Sequence, residues 1–226
     1  MNDDEDERCR STRKLPNWPN KLSPEGENHL DQWLMDLWLP LQPTLWGAGF
    51  TPNGLTTLSM LFQFLAVWCL HCGAGGLVFA VLWVVGYAFD VADGQMARLY
   101  CEETEFGDWY DHVTDVLAFL ALIIVCMHRY RSPLFGALLV LLFSLAMMHL
   151  GCQQRQLPDD DQHRRSQDGI LDRLRWTCPC RRAIRWTRFF GTGTVCLILV
   201  SVVVVLEHVT IGERKRTEQQ QRSTTR

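Results

Sequence analysis

The sequence predicts an all-α membrane protein: a polytopic bundle of five transmembrane helices preceded by an amphipathic helix in the membrane interface. Three observations predict it. Of the 226 residues, 47% are hydrophobic and 21% charged, and the charge is confined largely to residues 1–31, 151–188 and 207–226. Residues 50–150 and 189–206 contain apolar runs long enough to cross a bilayer. Between tail and first run, Leu30, Trp33, Leu34, Leu37, Trp38 and Leu41 repeat at helical spacing while Asp31, Gln32 and Asp36 fall elsewhere, the pattern of a helix with one apolar stripe. A soluble domain with a charged surface is excluded.

Taken in order, residues 1–28 mix acids, bases, Pro16, Pro19 and Pro24 with few aliphatics, and are read as a flexible cytosolic tail. The start, MNDDEDERCR, is acidic and has no apolar core, so no cleavable leader is expected. With two tryptophans on its stripe, the helix after the tail is placed in the interface. Thr51-Pro52-Asn53 opens a first span to about His71, and a short glycine-containing turn leads to a second, from Gly73 to Arg98. A third runs from Asp108 to Met127 and a fourth from Pro133 to Leu150. Residues 151–188 form an arginine-rich cytosolic segment, 189–208 the last span, and 209–226 a charged tail; residues 29–150 hold the interfacial helix and a four-span core.

Fifteen of the 22 lysines and arginines fall in residues 1–50, 98–107 and 151–188, so the positive-inside rule puts that side in the cytosol. A net charge of −3 gives no pull toward nucleic acid, which is excluded as a partner. The nine cysteines are an odd number and several lie in apolar runs, so no disulfide framework is expected. Cys178-Pro179-Cys180 lacks a second cysteine pair at zinc spacing, and no zinc site is expected there.

The chemistry is concentrated around the turn between the second and third spans. Asp90, Asp93, Gly94 and Ala97 share one helix face; Gly107, Asp111 and Asp115 share another, and only eight residues join Arg98 to Gly107. The two helices are therefore antiparallel neighbours, and four aspartates converge. Four close carboxylates need cations to stay ionised. Oxygen ligands on short side chains suit Mg²⁺ or Mn²⁺, and a pair of such ions can clamp a diphosphate while a carboxylate takes a proton from an attacking hydroxyl. Gly86, one turn before Asp90, is read as close helix packing.

Asp90-x-x-Asp93-Gly94-x-x-Ala97-Arg98, eight residues, then Gly107-x-x-x-Asp111-x-x-x-Asp115 resembles the CDP-alcohol phosphatidyltransferase signature at all eight fixed positions, and Thr51-Pro52-Asn53-x-x-Thr56 resembles that family's entry to its first span. The resemblance covers residues 30–150. It implies transfer of a phosphoalcohol from a CDP-linked donor such as CDP-diacylglycerol to a hydroxyl, with release of CMP, using two Mg²⁺ or Mn²⁺ ions. By position it implies that Asp90, Asp93, Asp111 and Asp115 hold metal, that Asp115 is also the general base, and that Gly94, Ala97, Arg98 and Gly107 border the nucleotide. It further implies a homodimer among membrane lipids, with its site facing the cytosol, in the endoplasmic reticulum of a eukaryote or the plasma membrane of a bacterium. The family commonly has six spans, one more than expected here.

The acceptor stays open among inositol, serine, glycerol phosphate, choline or ethanolamine, and a lipid. Val113-Thr114-Asp115 and His149 resemble phosphatidylinositol synthases, whereas Val116 stands where such enzymes tend to carry arginine. Arg181, Arg182, Arg185 and Arg188 either orient the last span beside anionic headgroups or bind an acceptor phosphate. Two rival readings remain: an aspartate-rich membrane prenyltransferase, which would want a second aspartate-rich helix pair, and a non-catalytic protein that binds nucleotide-lipid.

Overall fold

The long helices begin where the sequence supplies a cap. In this computed structural model, which describes residues 26–156 and 173–224, the order is α1 (His29–Trp38), α2 (Gln42–Gly47), α3 (Pro52–His71), α4 (Gly76–Tyr100), α5 (Glu105–Tyr130) and α6 (Pro133–Gln154). Short 3₁₀ turns and α7 (Ile184–Thr187) then lead to α8 (Thr192–Thr224). Thr51, Thr104 and Ser132 cap α3, α5 and α6, each accepting the backbone N–H three residues on, and Pro52 and Pro133 occupy first-turn positions where no N–H is needed.

Among the described residues, α3 to α6 and the stretch Arg181–Ser223, which holds nearly all of α8, are long and apolar enough to cross a membrane. Their inner faces meet in one core that includes Leu70, Phe79, Trp83, Leu122, Leu139 and Leu199. Their outer faces stay apolar, with Leu61 and Trp68 on α3, Leu77 and Val81 on α4, Leu120 and Ile124 on α5 and Leu134 and Val140 on α6 all exposed. Faces of that kind are stable against lipid and not against water.

Helix α8 runs well past residue 208, the expected end of the last span. Glu207, near the expected end of the last span, is only 1% exposed. Its carboxylate accepts from Arg129 Nη2 at 2.9 Å and from the Tyr130 hydroxyl at 2.9 Å, and Arg129 Nε donates to it as well. A paired charge tolerates burial where a lone one does not, and this cluster ties α8 to α5 at the end remote from the aspartates.

Two expectations are corrected. The N-terminal stripe divides, because Leu34 and Met35 turn inward with Asp31 while Trp33 and Leu37 stay exposed, and α1 stops at Trp38. The cause is a polar anchor that periodicity cannot register: Asp31 accepts from the Tyr87 hydroxyl on α4, so its edge of the helix faces the bundle. The cysteines are not all free either, since Cys152 at the end of α6 is bonded to Cys178. Most of the tail lies outside the described residues, although Glu27 and Asn28 at its end are buried.

Gly86 lets α3 and α4 approach each other closely. A Cβ there would stand 2.8 Å from Gln63 Cγ and 3.0 Å from the Ser59 carbonyl, the latter being backbone that cannot step aside. Gly86→Ala is expected to cost about 1–3 kcal/mol through overpacking. Thermal unfolding of the purified protein checks this, and an unchanged midpoint would mean that the two helices separate freely at that level.

Candidate active site

α4 and α5 form a hairpin across Tyr100 to Thr104, and its geometry brings the aspartates together. Asp90, Asp93 and Asp111 each present an oxygen, and the three oxygens lie within 4.8 Å of one another, the single group of this kind found among the described residues. Asp115 is not in that triplet. It stands one turn beyond Asp111, on the wall of the same cavity. Asp93, 4% exposed, accepts from Thr56 Oγ1 at 2.6 Å, so the α3 entry motif positions one carboxylate directly.

Three carboxylate oxygens so close repel one another in a membrane-embedded site, where the effective dielectric is low, and a cation is the natural compensation. The donor set fits a hard divalent ion, and the buried Asp90 Oδ1 has no hydrogen-bond partner among the described residues. An orphaned acceptor of that kind is costly unless something else satisfies it.

Two cavities meet at the aspartates. The smaller, about 220 Å³, is polar and includes Asn53, Ala97, Arg98, Thr104 and Gly107 in its wall. The larger, about 580 Å³, runs between α4, α5, α6 and α8 along Trp83, Phe119, Phe143 and Leu199. Asp93, Gly94, Arg98, Asp111 and His112 border both. A Cβ on Gly94 would lie 3.4 Å from Arg98 Nη1, in the contact range of the guanidinium. At Gly107 a Cβ would press on its own cap, 3.0 Å from Thr104 Oγ1, and on Asn53 Oδ1 at 3.1 Å.

All eight signature residues therefore border the two cavities. Other expected residues do not join them. His149 is 1% exposed and lies 3.2 Å from the Thr187 hydroxyl, and it lines neither cavity. Arg181, Arg182, Arg185 and Arg188 likewise line neither.

A model of the CDP-alcohol phosphatidyltransferase family matches residues 50–163, half of the chain, spanning the aspartate hairpin and both flanking spans. The chain belongs to that family. No curated protein matches it. Membership makes this CDP-alcohol phosphatidyltransferase homologue a member of a membrane phosphotransferase family whose reaction is phosphatidyl transfer from a CDP-alcohol, and its aspartate triplet lies within the matched residues.

Several residues of the site carry no motif. His112 borders both cavities, its Nδ1 lying 2.6 Å from the Asp108 carbonyl oxygen and 4.0 Å from Asp111 Oδ2. Its place directly after Asp111 was the one available clue. Glu27, Asp31, Gln63 and Tyr87 also line the larger cavity, and Asp31 had been assigned to the polar side of its helix.

Burial pushes the Asp31 carboxyl up to about 7; the Tyr87 hydrogen bond and the Gly193 amide oppose this, and Glu27 adds to it. A folded-state value above the unfolded one of about 3.9 means that the fold favours the protonated form, so this contribution is full below about pH 4 and is lost as pH rises through 7. Across that window wild type should lose up to about 1.4 kcal/mol per pH unit relative to Asp31→Asn, which has nothing to ionise. Parallel thermal unfolding of the two proteins from acid to neutral pH checks it. Curves that stay parallel would place Asp31 in contact with water.

Proposed function

We propose that this protein is a CDP-alcohol phosphotransferase of phospholipid biosynthesis, transferring a phosphatidyl group from a CDP-linked donor such as CDP-diacylglycerol to a hydroxyl acceptor with release of CMP. The observation that carries the reading is the meeting of Asp90, Asp93 and Asp111 where a smaller cavity lined by charged and polar side chains adjoins a larger, mostly apolar one. Asp90, Asp93 and Asp111, with Asp115 beside them, would hold two Mg²⁺ or Mn²⁺ ions. Such ions, when bound, neutralise the diphosphate and stabilise the leaving phosphate.

The chain's own residues supply the rest. Gly94, Ala97, Arg98 and Gly107 border the nucleotide in the smaller cavity, and the Arg98 guanidinium donates to phosphate oxygens. Asp115, on the larger cavity, takes the proton of the acceptor hydroxyl. As that oxygen bonds to the donor's phosphorus, the bond from phosphorus to the CMP oxygen breaks, and CMP leaves with its electron pair. The apolar walls beyond the aspartates accommodate acyl chains and keep water from competing as acceptor. The excess of positive charge on the aspartate side supports a cytosol-facing site, and the homodimer rests on the family resemblance.

The test is CMP release by the purified protein from CDP-diacylglycerol and from CDP-linked alcohols, with a panel of acceptors, at saturating Mg²⁺ and again after chelation. Metal-dependent release is expected. Release that survives chelation, or transfer of a prenyl chain in place of a phosphatidyl group, would overturn the reading.

A further inference from the structure

The aspartate-side end of α6 and the stretch that leads into α8 carry cations that the metal chemistry does not use. Residues 173–190 hold six arginines and no acid. Arg155, Arg175, Trp176 and Arg181 line a pocket of about 510 Å³ there. None of the four lines either of the cavities that meet at the aspartates, so an alcohol reacting at those carboxylates does not reach them.

Two of these guanidinium groups are braced by backbone. Arg181 Nε donates to the Arg155 carbonyl at 3.0 Å, Arg155 Nη1 donates to the Cys178 carbonyl at 2.6 Å, and Gln156 Nε2 donates to the Arg181 carbonyl at 2.6 Å. The disulfide between Cys152 and Cys178 fastens the same stretch to α6. The other guanidinium nitrogens, Nε and Nη2 of Arg155 and Nη1 and Nη2 of Arg181, meet no acceptor among the described residues. Two like charges from positions 26 residues apart are thus held on one small pocket with donors unspent. An anion relieves their repulsion, and the planar fork of arginine matches phosphate oxygens. Bracing lowers the cost of ordering both side chains on binding.

The surroundings of the pocket say where that anion comes from. Trp176, Trp186 and Phe189 stand exposed, and the pocket lies where α6 ends at Gln154 and the last membrane-crossing stretch begins at Arg181. Exposed aromatic rings among arginines at the end of a span belong at the headgroup level of a bilayer. Phosphate at that level is carried by lipid. A zwitterionic headgroup brings its own ammonium and gains little from two guanidinium groups. A phosphomonoester carries about two negative charges at neutral pH and meets both.

We propose that Arg155 and Arg181 bind the phosphate of an anionic membrane lipid whose headgroup is a phosphomonoester, at a site separate from the aspartates. Arg175 and Trp176 form the rest of the pocket wall. Leu174 of the same stretch lies in the wall of the larger cavity, so a seated lipid steadies that wall.

The full chain in neutral detergent is heated with phosphatidic acid, with phosphatidylcholine or with inorganic phosphate. Phosphatidic acid, at about ten times its dissociation constant, is expected to raise the unfolding midpoint by at least about 3 °C, and the other two are expected to leave it unchanged. Arg155→Gln combined with Arg181→Gln should remove the shift. Arg182→Gln, at an exposed arginine that does not line this pocket, should keep it. Should the glutamine pair fail to fold, Arg155→Lys with Arg181→Lys keeps the charge and loses the forks, and about half of the shift or more should go. An equal shift with inorganic phosphate would make this a site for free anion and overturn the lipid. An equal shift with phosphatidylcholine would overturn the selection by charge. A shift that survives intact in whichever double variant folds would place the lipid elsewhere, and a shift lost with Arg182→Gln as well would reduce the site to diffuse attraction. No shift with phosphatidic acid would overturn the proposal.

Discussion

Asp111→Asn is expected to lower phosphatidyl transfer by at least about 10³-fold, equivalent to about 4 kcal/mol of transition-state stabilisation, while leaving the protein inserted and folded. The substitution keeps side-chain size and removes one of the three charges whose oxygens lie within 4.8 Å. Losing a ligand charge weakens metal binding, whereas in metal-free protein the same loss relieves repulsion. The signs therefore separate: activity falls while the unfolding midpoint of chelated protein holds steady or rises. Asp93→Asn should lose comparable activity, and it additionally disturbs the 2.6 Å bond from Thr56. CMP release at saturating Mg²⁺, measured beside thermal unfolding after chelation, checks both signs. Substantial turnover in either variant would remove the carboxylates from the metal role.

Asp115→Asn is expected to act differently, lowering turnover by about 10²–10⁴-fold while leaving donor affinity nearly unchanged. Asp115 lies outside the close triplet and faces the larger cavity, where an acceptor hydroxyl enters. A general base acts on the transition state, so its loss shows in single-turnover CMP release more than in binding of CDP-diacylglycerol. Asp93→Asn, measured in parallel at the same Mg²⁺ concentration, is the comparison in which binding and turnover should fall together. Equal losses at Asp115 would make it another metal ligand and pass the base to Asp111.

The spans and the aspartate hairpin were legible in the sequence because each depends on local rules. Apolar length sets the spans, Thr51, Thr104 and Ser132 set helix starts, and the spacing of Asp90, Asp93, Asp111 and Asp115 sets which faces carry charge. Gly86 is similar, since a missing side chain one turn from Asp90 announces a close neighbour, and the structure supplies Gln63 and Ser59. Helical periodicity reports only which residues share a face, and it assigns polar residues to water by default. That default failed at Asp31 and Glu207, each of which is buried against a partner far away in sequence.

A helical membrane protein with a four-aspartate hairpin at one end of its spans follows from local pattern, because hydrophobic length and turn chemistry act within a few residues. The tertiary structure alone decided what surrounds that hairpin. Tyr87 meets Asp31 across 56 residues and Gln153 meets Glu27 across 126, so an acidic wall arises from segments with no pattern of their own. Arg129 meets Glu207 across 78, and that pairing lets α8 carry a charge inside the bundle. Such pairs are set by the energy of leaving a buried polar group without a partner, a cost that exists only once the helices have packed.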